Sequence, residues 1–466
     1  MDAKLTIYGG GPIDTVLHPL VALAMLVTIA LIFLLPRRYV VVPFLLTVFL
    51  VPFGQMVVLG GIHFMVYRII VIFGLIRVLL AKLSSKKEWS IPGGVNGIDQ
   101  VFAWCAFFSA LNCVLLWMET QALINKLGVL LDALGGYFLL RFLIRNEEDI
   151  CRVIKVFAVV TTLVALVMIN EQLTRRNIFE TLGGLHPVEV RAGQVRSHGV
   201  FQHSILAGTF GATVLPLFAG LWKYRESRVI AVVGAISAVV MAVTSNSSTP
   251  LLALFSGIAA LCLWPLRRRM RIVRWGLVIT LVALHLIMKA PVWALIGRID
   301  LTGSSSGYMR YMLVDNFIRH FSDWWLLGTK DFGNWGWDMW DQANQYVAYG
   351  NTGGLVTLVL FIAIIWRSFA ELGKARKRVA GSTRQEWFLW ALGAALFSHV
   401  MAYFGVSYFD QTEVAWFALL VIISTAVYRA QQSPALQVGT VAELTHATSL
   451  EPGLQPLSHT GYRHIS

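Results

Sequence analysis

SSSGYMRYMLVDNFIRHFSDWWLLGTKDFGNWGWDMWDQANQYVAYGNTGG, Ser304 to Gly354, is a polar stretch between two apolar runs, 274–292 and 353–367, that read as bilayer crossings. It holds Arg310, Arg319 and Lys330, five aspartates and five of the sixteen tryptophans. A link between two membrane helices needs only a few residues, so one this long and this aromatic reads as a working surface.

The rest of the chain supports a membrane setting. Hydrophobic residues make up 57% of 466 positions and charged residues 14%, with a mean hydropathy of +0.67. A soluble domain is roughly 25% charged. Apolar runs of about 20 residues recur along the length, so lipid is the expected solvent. Candidate spans are 15–36, 39–58, 64–83, 100–118, 121–143, 151–170, 204–222, 228–245, 249–266, 274–292, 353–367, 387–405 and 413–428. The first can be read as a crossing or as a re-entrant segment, giving twelve or thirteen spans. The expected fold is an all-α polytopic transmembrane bundle with a large outward-facing loop.

Basic clusters orient it. They follow spans one (Arg37, Arg38), three (Lys82, Lys86, Lys87), five (Arg141, Arg145), seven (Lys223, Arg225), nine (Arg267 to Arg269), eleven (Lys374 to Arg378) and thirteen (Arg429). Even numbers of spans separate them throughout, so all fall on one side, expected to be cytoplasmic. The N-terminus is then outside and the C-terminus inside. This distribution also explains the net charge of +13 as membrane topology, and no nucleic-acid partner is expected. Three regions result: N-terminal membrane helices, 1–190; a membrane region with its outer loop 291–352, covering 191–430; and a tail, 431–466, whose polar composition predicts a disordered cytoplasmic segment. No cleavable signal peptide is read. Cys105, Cys113, Cys151 and Cys262 lack metal-type spacing and read as small core residues.

Two outer loops carry the chemistry. The first, 171–203, contains Arg175, Arg176, Arg191 and Arg196, against the positive-inside bias. Arginine offers a planar fork of donors to phosphate, so Arg191 and Arg196 are candidate ligands for a diphosphate, or else partners of Glu171, Glu180 or Glu189. His198 and His203 precede span seven and are candidates for substrate contact or for hydrogen-bonded structural histidines. In the second loop, Trp293, Trp324, Trp325, Trp335, Trp337 and Trp340 offer flat apolar faces on which sugar rings stack, beyond what an interfacial belt requires. Asp315, Asp323, Asp331, Asp338 and Asp341 are acceptors for sugar hydroxyls, with Asp341 the preferred general base. Within the spans, Arg68 is a candidate for the phosphate site and Asp132 for a buried structural partner, while His285 and His399 read as core histidines. No GxxxxGK[ST], strand-linked GxGxxG or HExxH is present, which argues against nucleotide-driven chemistry.

These residues resemble a family. RSHGVFQHSILAGTFGATVLPL, Arg196 to Leu217, is similar to the Arg-x-x-Gly-x-Phe stretch that opens a span in the O-antigen ligase and polymerase family. SGYMRYMLVDNF, Ser306 to Phe317, resembles its Ser-Gly-Arg segment, with Tyr308 and Met309 inserted before Arg310. LLGTKDFGNWGW and NQYVAYGNTGGLVTLVLF resemble its Gly-rich stretch and its Asn-x-Tyr span entrance, Asn344 and Tyr346. The resemblance covers about 190–430. It implies a metal-independent inverting glycosyltransferase of the bacterial inner membrane, without cofactor. The donor would be a glycan on undecaprenyl diphosphate, and the acceptor another glycan or a lipid A core. Arg310, with Arg191, Arg196 and Arg68, would hold the diphosphate, and Asn344, Tyr346 and Trp337 would line the substrate site. Members often carry His before Asn late in the loop; this chain has Ala343 before Asn344, which leaves Asp341 or His320 as the base. A transporter or flippase of lipid-linked sugars is the alternative reading.

Overall fold

The computed structural model describes residues 15–84, 90–183, 187–191, 193–298, 307–336 and 339–432. Trp337, Asp338 and the tail from residue 433 lie outside the described residues. The chain is an all-α polytopic bundle. Its helices are α1 (Pro19–Leu34), α2 (Arg37–Leu50), α3 (Val66–Leu83), α4 (Gly97–Trp117), α5 (Thr120–Leu130), α6 (Gly136–Leu143) and α7 (Glu147–Thr174). There follow α8 (Ser204–Leu221), α9 (Arg228–Thr244), α10 (Ser248–Cys262), α11 (Met270–Ile287), α12 (Gly307–Arg319), the short α13 (Phe321–Trp324), α14 (Gln345–Arg378), α15 (Thr383–Ala402) and α16 (Asp410–Gln432). Two small antiparallel hairpins, β1 (Met56–Leu59) with β2 (Ile62–Met65) and β3 (Glu189–Arg191) with β4 (Gln194–Arg196), are the sheet among the described residues.

Each expected span interval holds a helix, and eight helices are long and apolar enough to cross a membrane by length and composition alone. Of the remaining helices, α2 and α3 fall short for visible reasons. Expected span two, 39–58, is helical only to Leu50, because Pro52 follows and the chain turns into the β1–β2 hairpin. Helix α3 carries Arg68, Arg77 and Lys82. Span five, one of the eight, is a single run, 120–143, carrying a π turn at Leu131–Gly135 between α5 and α6.

The basic clusters share one face. Arg37 donates to Leu143 O at 2.7 Å and to Asp149 at 3.0 Å, and Arg152 donates to Arg38 O at 2.8 Å. Across the bundle Arg267 pairs with Glu386 at 3.2 Å, and Arg376 donates to Arg267 O at 2.7 Å. The hairpins and long connections lie on the opposite face, the loop face.

The basic-face end of α4 is held by one carboxylate. Asn96 caps α4 through Ile98 N and Asp99 N, and Asp99 returns the bond to Asn96 N at 2.9 Å. The same Asp99, fully buried, accepts two bonds from Arg141 at 2.9 Å and one from Tyr137 Oη at 2.6 Å. Four donors on two oxygens satisfy it, and the pair ties α4 to α6.

Helix α14 is broken where it enters the bundle. Gly354 has φ +71° and ψ −171°, and a Cβ there would stand 2.4 Å from Leu326 O. Only glycine fits that close approach with that φ. Loop residues Trp325 and Thr329 fill the break: Leu355 N donates to Trp325 O at 2.8 Å and Thr329 N to Asn351 O at 2.9 Å. From the neighbouring helix, Asn112 Nδ2 donates to Gly353 O at 2.7 Å. The expected loop 291–352 therefore ends at Asn344, since 345–352 are helical. By contrast α11 has no buried residue and meets the protein chiefly through the Val292–Arg298 turn that follows it.

Asp99→Ala should cost about 3–5 kcal/mol, because it leaves Arg141 buried without its carboxylate. Thermal unfolding in detergent measures it; a loss below about 1 kcal/mol contradicts the role given to the pair.

Candidate functional site

The loop face converges on the connection between α15 and α16, residues 403–409. Its backbone carbonyls are acceptors for three other segments. Gln345 N donates to Tyr403 O at 2.9 Å, Asn344 Nδ2 to Phe404 O at 3.3 Å, and both Arg310 Nε and Thr249 Oγ1 to Gly405 O at 3.2 Å. In return Tyr408 N donates to Gln345 Oε1. At its end, Asp410 Oδ2 accepts from Gln202 N at 2.9 Å, and the ring of His203 meets Phe409 edge-on at 5.8 Å. The first loop, the second loop and the entrance of α10 are thereby fixed to one turn.

Arg310 reaches that turn because α12 has a buried stripe. Arg310, Leu313 and Phe317 recur at helical spacing. Leu313 and Phe317 join Trp324, Met339 and Val347 in a small core belonging to the loop itself. Arg310 is thus carried inward, 9% exposed, with Nε anchored on Gly405 O. Among the described residues, its Nη1 and Nη2 make no hydrogen bond and no carboxylate lies in ion-pair contact. Burial pushes the Arg310 pKa below the ordinary arginine value; Asp341 opposes that shift, while Arg196 and Arg191 add to it.

Those last influences locate the other charges. Arg196 and Arg191 come from the β3–β4 hairpin, and the strand around Arg196 is rigidly held. Val195 O accepts from Gln172 at 2.8 Å and from Asn246 at 2.6 Å, and Ser197 N donates to Thr244 O at 3.2 Å. Arg196 pairs with Glu189 at 2.7 Å, while Arg191 is exposed. Three guanidiniums therefore act on one another, against the carboxylates of Glu189 and Asp341. An anion at the Arg310 fork relieves that repulsion and satisfies its donors.

Other expected site residues are placed differently. Arg68 is not part of this cluster. Asp132, presented by the π turn, accepts from Arg68 Nε at 2.9 Å and Nη2 at 2.6 Å, and Arg68 Nη1 donates to His63 O at 2.7 Å. His198 is enclosed at 3% exposure: its Nδ1 meets Phe201 O at 2.8 Å and its backbone N donates to Glu171 at 2.8 Å. Asn344 is the N-cap of α14, its Oδ1 accepting from Tyr346 N and Val347 N, so its side chain is already used. Tyr346 packs its ring among Phe361, Tyr403 and Phe404 and donates to Val400 O at 3.2 Å. His320 stacks on Trp335, ring centres 5.0 Å apart, with Nδ1 on Asn316 O. His203 and Asp341 are exposed.

The tryptophans divide. Trp324 is a core residue, stacked on Phe317 at 3.9 Å, and Trp293 donates to Asp315, which also holds Arg319. Trp325 and Trp340 remain 46% and 66% exposed and can serve as platforms. His399 is a core histidine bonded to Tyr408 Oη at 2.8 Å, whereas His285 is exposed and stacks on Trp293. Cys262 is exposed rather than core.

Sequence reasoning passed over Asp410. It is 3% exposed, sits in the left-handed region at φ +65°, and its Oδ1 has no hydrogen-bond partner among the described residues. The signal was available: an acidic residue between two apolar runs on the loop side. Among known proteins, no family model matches the chain and no curated protein is significantly similar to it in sequence.

Arg310→Gln should weaken binding of inorganic pyrophosphate to the purified chain at least about tenfold, as a charge-assisted hydrogen bond contributes about 1.5–3 kcal/mol. His198→Asn should leave that affinity unchanged and lower the thermal midpoint. Isothermal titration and thermal unfolding separate the two; equal affinities for Arg310→Gln and the parent chain refute the anion site.

Proposed function

We propose that the chain is a bacterial inner-membrane glycosyltransferase. It polymerises or ligates a surface glycan on its periplasmic face, from a donor carried on undecaprenyl diphosphate. The basic face is then cytoplasmic, as the positive-inside rule requires. The observation that carries this reading is the Arg310 fork, held by its Nε, open at both Nη atoms and within electrostatic reach of Arg196 and Arg191. It lies where a bundle with lipid-facing helices meets a folded aromatic loop. A diphosphate anchored by a lipid tail matches both halves of that description.

In this reading the acceptor hydroxyl oxygen attacks the anomeric carbon from the face opposite the diphosphate. The bond from carbon to the phosphate oxygen breaks, and the diphosphate departs with the electron pair. Configuration inverts. The arginines take up the charge that develops on the leaving group, which is where preorganised cations contribute most. The hydroxyl proton passes to a carboxylate. Asp410 fits that part through its burial and unpartnered Oδ1, and Asp341 through its exposure on the loop within electrostatic reach of Arg310. The acceptor is another glycan or a lipid A core.

A second reading has its own support. The interruption of α14 at Gly354 and the π turn beside Arg68 and Asp132 are features of transport proteins. A flippase of lipid-linked sugars would use them.

The deciding experiment is the length and side of the lipid-linked glycan that accumulates when the gene is deleted in its host. Single repeat units on the periplasmic side mean lost polymerisation. Long lipid-linked chains with none on the acceptor mean lost ligation. Accumulation on the cytoplasmic side means lost transport, and no change refutes all three. Arg310→Gln and Asp410→Asn should each reproduce the deletion phenotype, and Asp410→Asn should retain pyrophosphate binding.

A further inference from the structure

The basic face holds a cavity that the chemistry of the loop face does not use. It measures about 260 Å³ and lies where the start of α7, the connection between α8 and α9, the start of α15 and the end of α16 meet. Its floor is apolar, formed by Ile150, Phe388, Leu389 and Ala426. The charges around it are already matched. Glu147 accepts from Tyr224 Oη and lies 3.6 Å from Arg384, whose guanidinium stacks on the Tyr224 ring at 3.8 Å. Arg429 donates to Gln432 Oε1 at 3.2 Å, and Gln432 Nε2 donates to Tyr428 Oη at 2.6 Å. The half-buried Gln385 amide also lines the cavity and, among the described residues, makes no hydrogen bond.

These walls narrow the occupant. The space falls short of the pockets that take free ligands, about 300–1,000 Å³. Matched charges offer little to a phosphate or a lipid headgroup. Helix α16 is enclosed by α6, α7, α8, α14 and α15, which keeps its end among protein and away from lipid. An uncharged peptide segment suits the site, with aliphatic side chains for the floor and backbone amides for Gln385.

The chain supplies such a segment at the rim. Gln432, the last residue of α16, is itself part of the cavity wall. SPALQVGTVA, Ser433 to Ala442, follows it without a single charge. Pro434 disfavours helical backbone at Ser433, so the sequence does not favour continuing α16 past the rim. Leu436 and Val438 alternate with Gln437 and Gly439, the period of an extended segment with one apolar face. Leu436 stands four residues beyond Gln432, at most about 14 Å along the chain. So short a tether presents it at an effective concentration on the order of millimolar, an advantage no occupant from solution has.

We propose that residues 433–442 of this chain fold back into the cavity, with Leu436 and Val438 against Phe388 and Leu389 and the backbone on Gln385. The docked segment clamps the end of α16, the helix whose other end carries Asp410. This docking is independent of the reaction that the loop face performs.

The test uses the full-length chain in its membrane and in detergent. Hydrogen exchange should show the amides of 435–441 protected at least about tenfold over an undocked peptide, and Leu436→Asp should remove that protection, since one buried leucine accounts for about that factor. Leu436 lies outside the folded bundle, so its substitution leaves the thermal midpoint of the helices as a check on folding. In parallel, a photo-cross-linking residue at Gln385 should join peptides from 433–442, as mapped by mass spectrometry, and isotope-mixed chains should show the link within one copy. Unprotected amides at 435–441, or protection that survives Leu436→Asp, overturn the docking. A cross-link to phospholipid, to a second copy or to another part of the tail overturns it as well and names the occupant instead.

Discussion

The loop face depends on the backbone of one short turn. Carbonyl groups at the rim of a bilayer bundle cannot all be left to water, and those of residues 403–405 are satisfied by other segments of the chain. Arg310, Asn344, Gln345 and Thr249 supply the donors. Since these donors come from three separate parts of the sequence, the turn is where the large loop, the start of α14 and the start of α10 acquire fixed relative positions. Gly405 is needed there for closeness: a Cβ would lie 2.1 Å from Thr249 Oγ1. Asp410 and Gln202 extend the same junction to the first loop.

Much of the architecture was legible in the sequence. Apolar runs and alternating basic clusters are long-range patterns set by the bilayer, and they located a helix in every expected interval. What escaped were local departures from regularity. The π turn at Leu131–Gly135 falls within one expected span and the break at Gly354 at the edge of another, and hydropathy averaged over a span marks neither. A Gly-Gly pair marked the second, but its meaning required the loop backbone that packs into it.

The site was legible in part. Of the four arginines against the topological bias, Arg191 and Arg196 act electrostatically on Arg310, whereas nothing ties Arg175 and Arg176 to it. Asn344 and Tyr346 illustrate the opposite case. Their residue types suit a sugar, yet Asn344 caps a helix and Tyr346 packs beneath the turn. Residue type does not distinguish a polar group offered to a ligand from one consumed by the fold. Arg68 shows this for charge: a carboxylate 64 residues away had claimed it.

The two ends of the large loop are moored unequally. At its far end the loop runs into α14, wedged against α4 and plugged by its own backbone at Gly354. At its near end it hangs from α11, a helix with no buried residue, through the Val292–Arg298 turn that packs on α12. With so little protein packed against it, α11 is free to follow its surroundings, and a membrane helix adjusts its tilt to the hydrophobic thickness around it. Bilayer thickness becomes a lever on α12, pulling from the end opposite its anchor on Gly405. The Arg310 fork is in this sense suspended between protein and solvent phase, and the composition of the membrane is one of the forces that shape it.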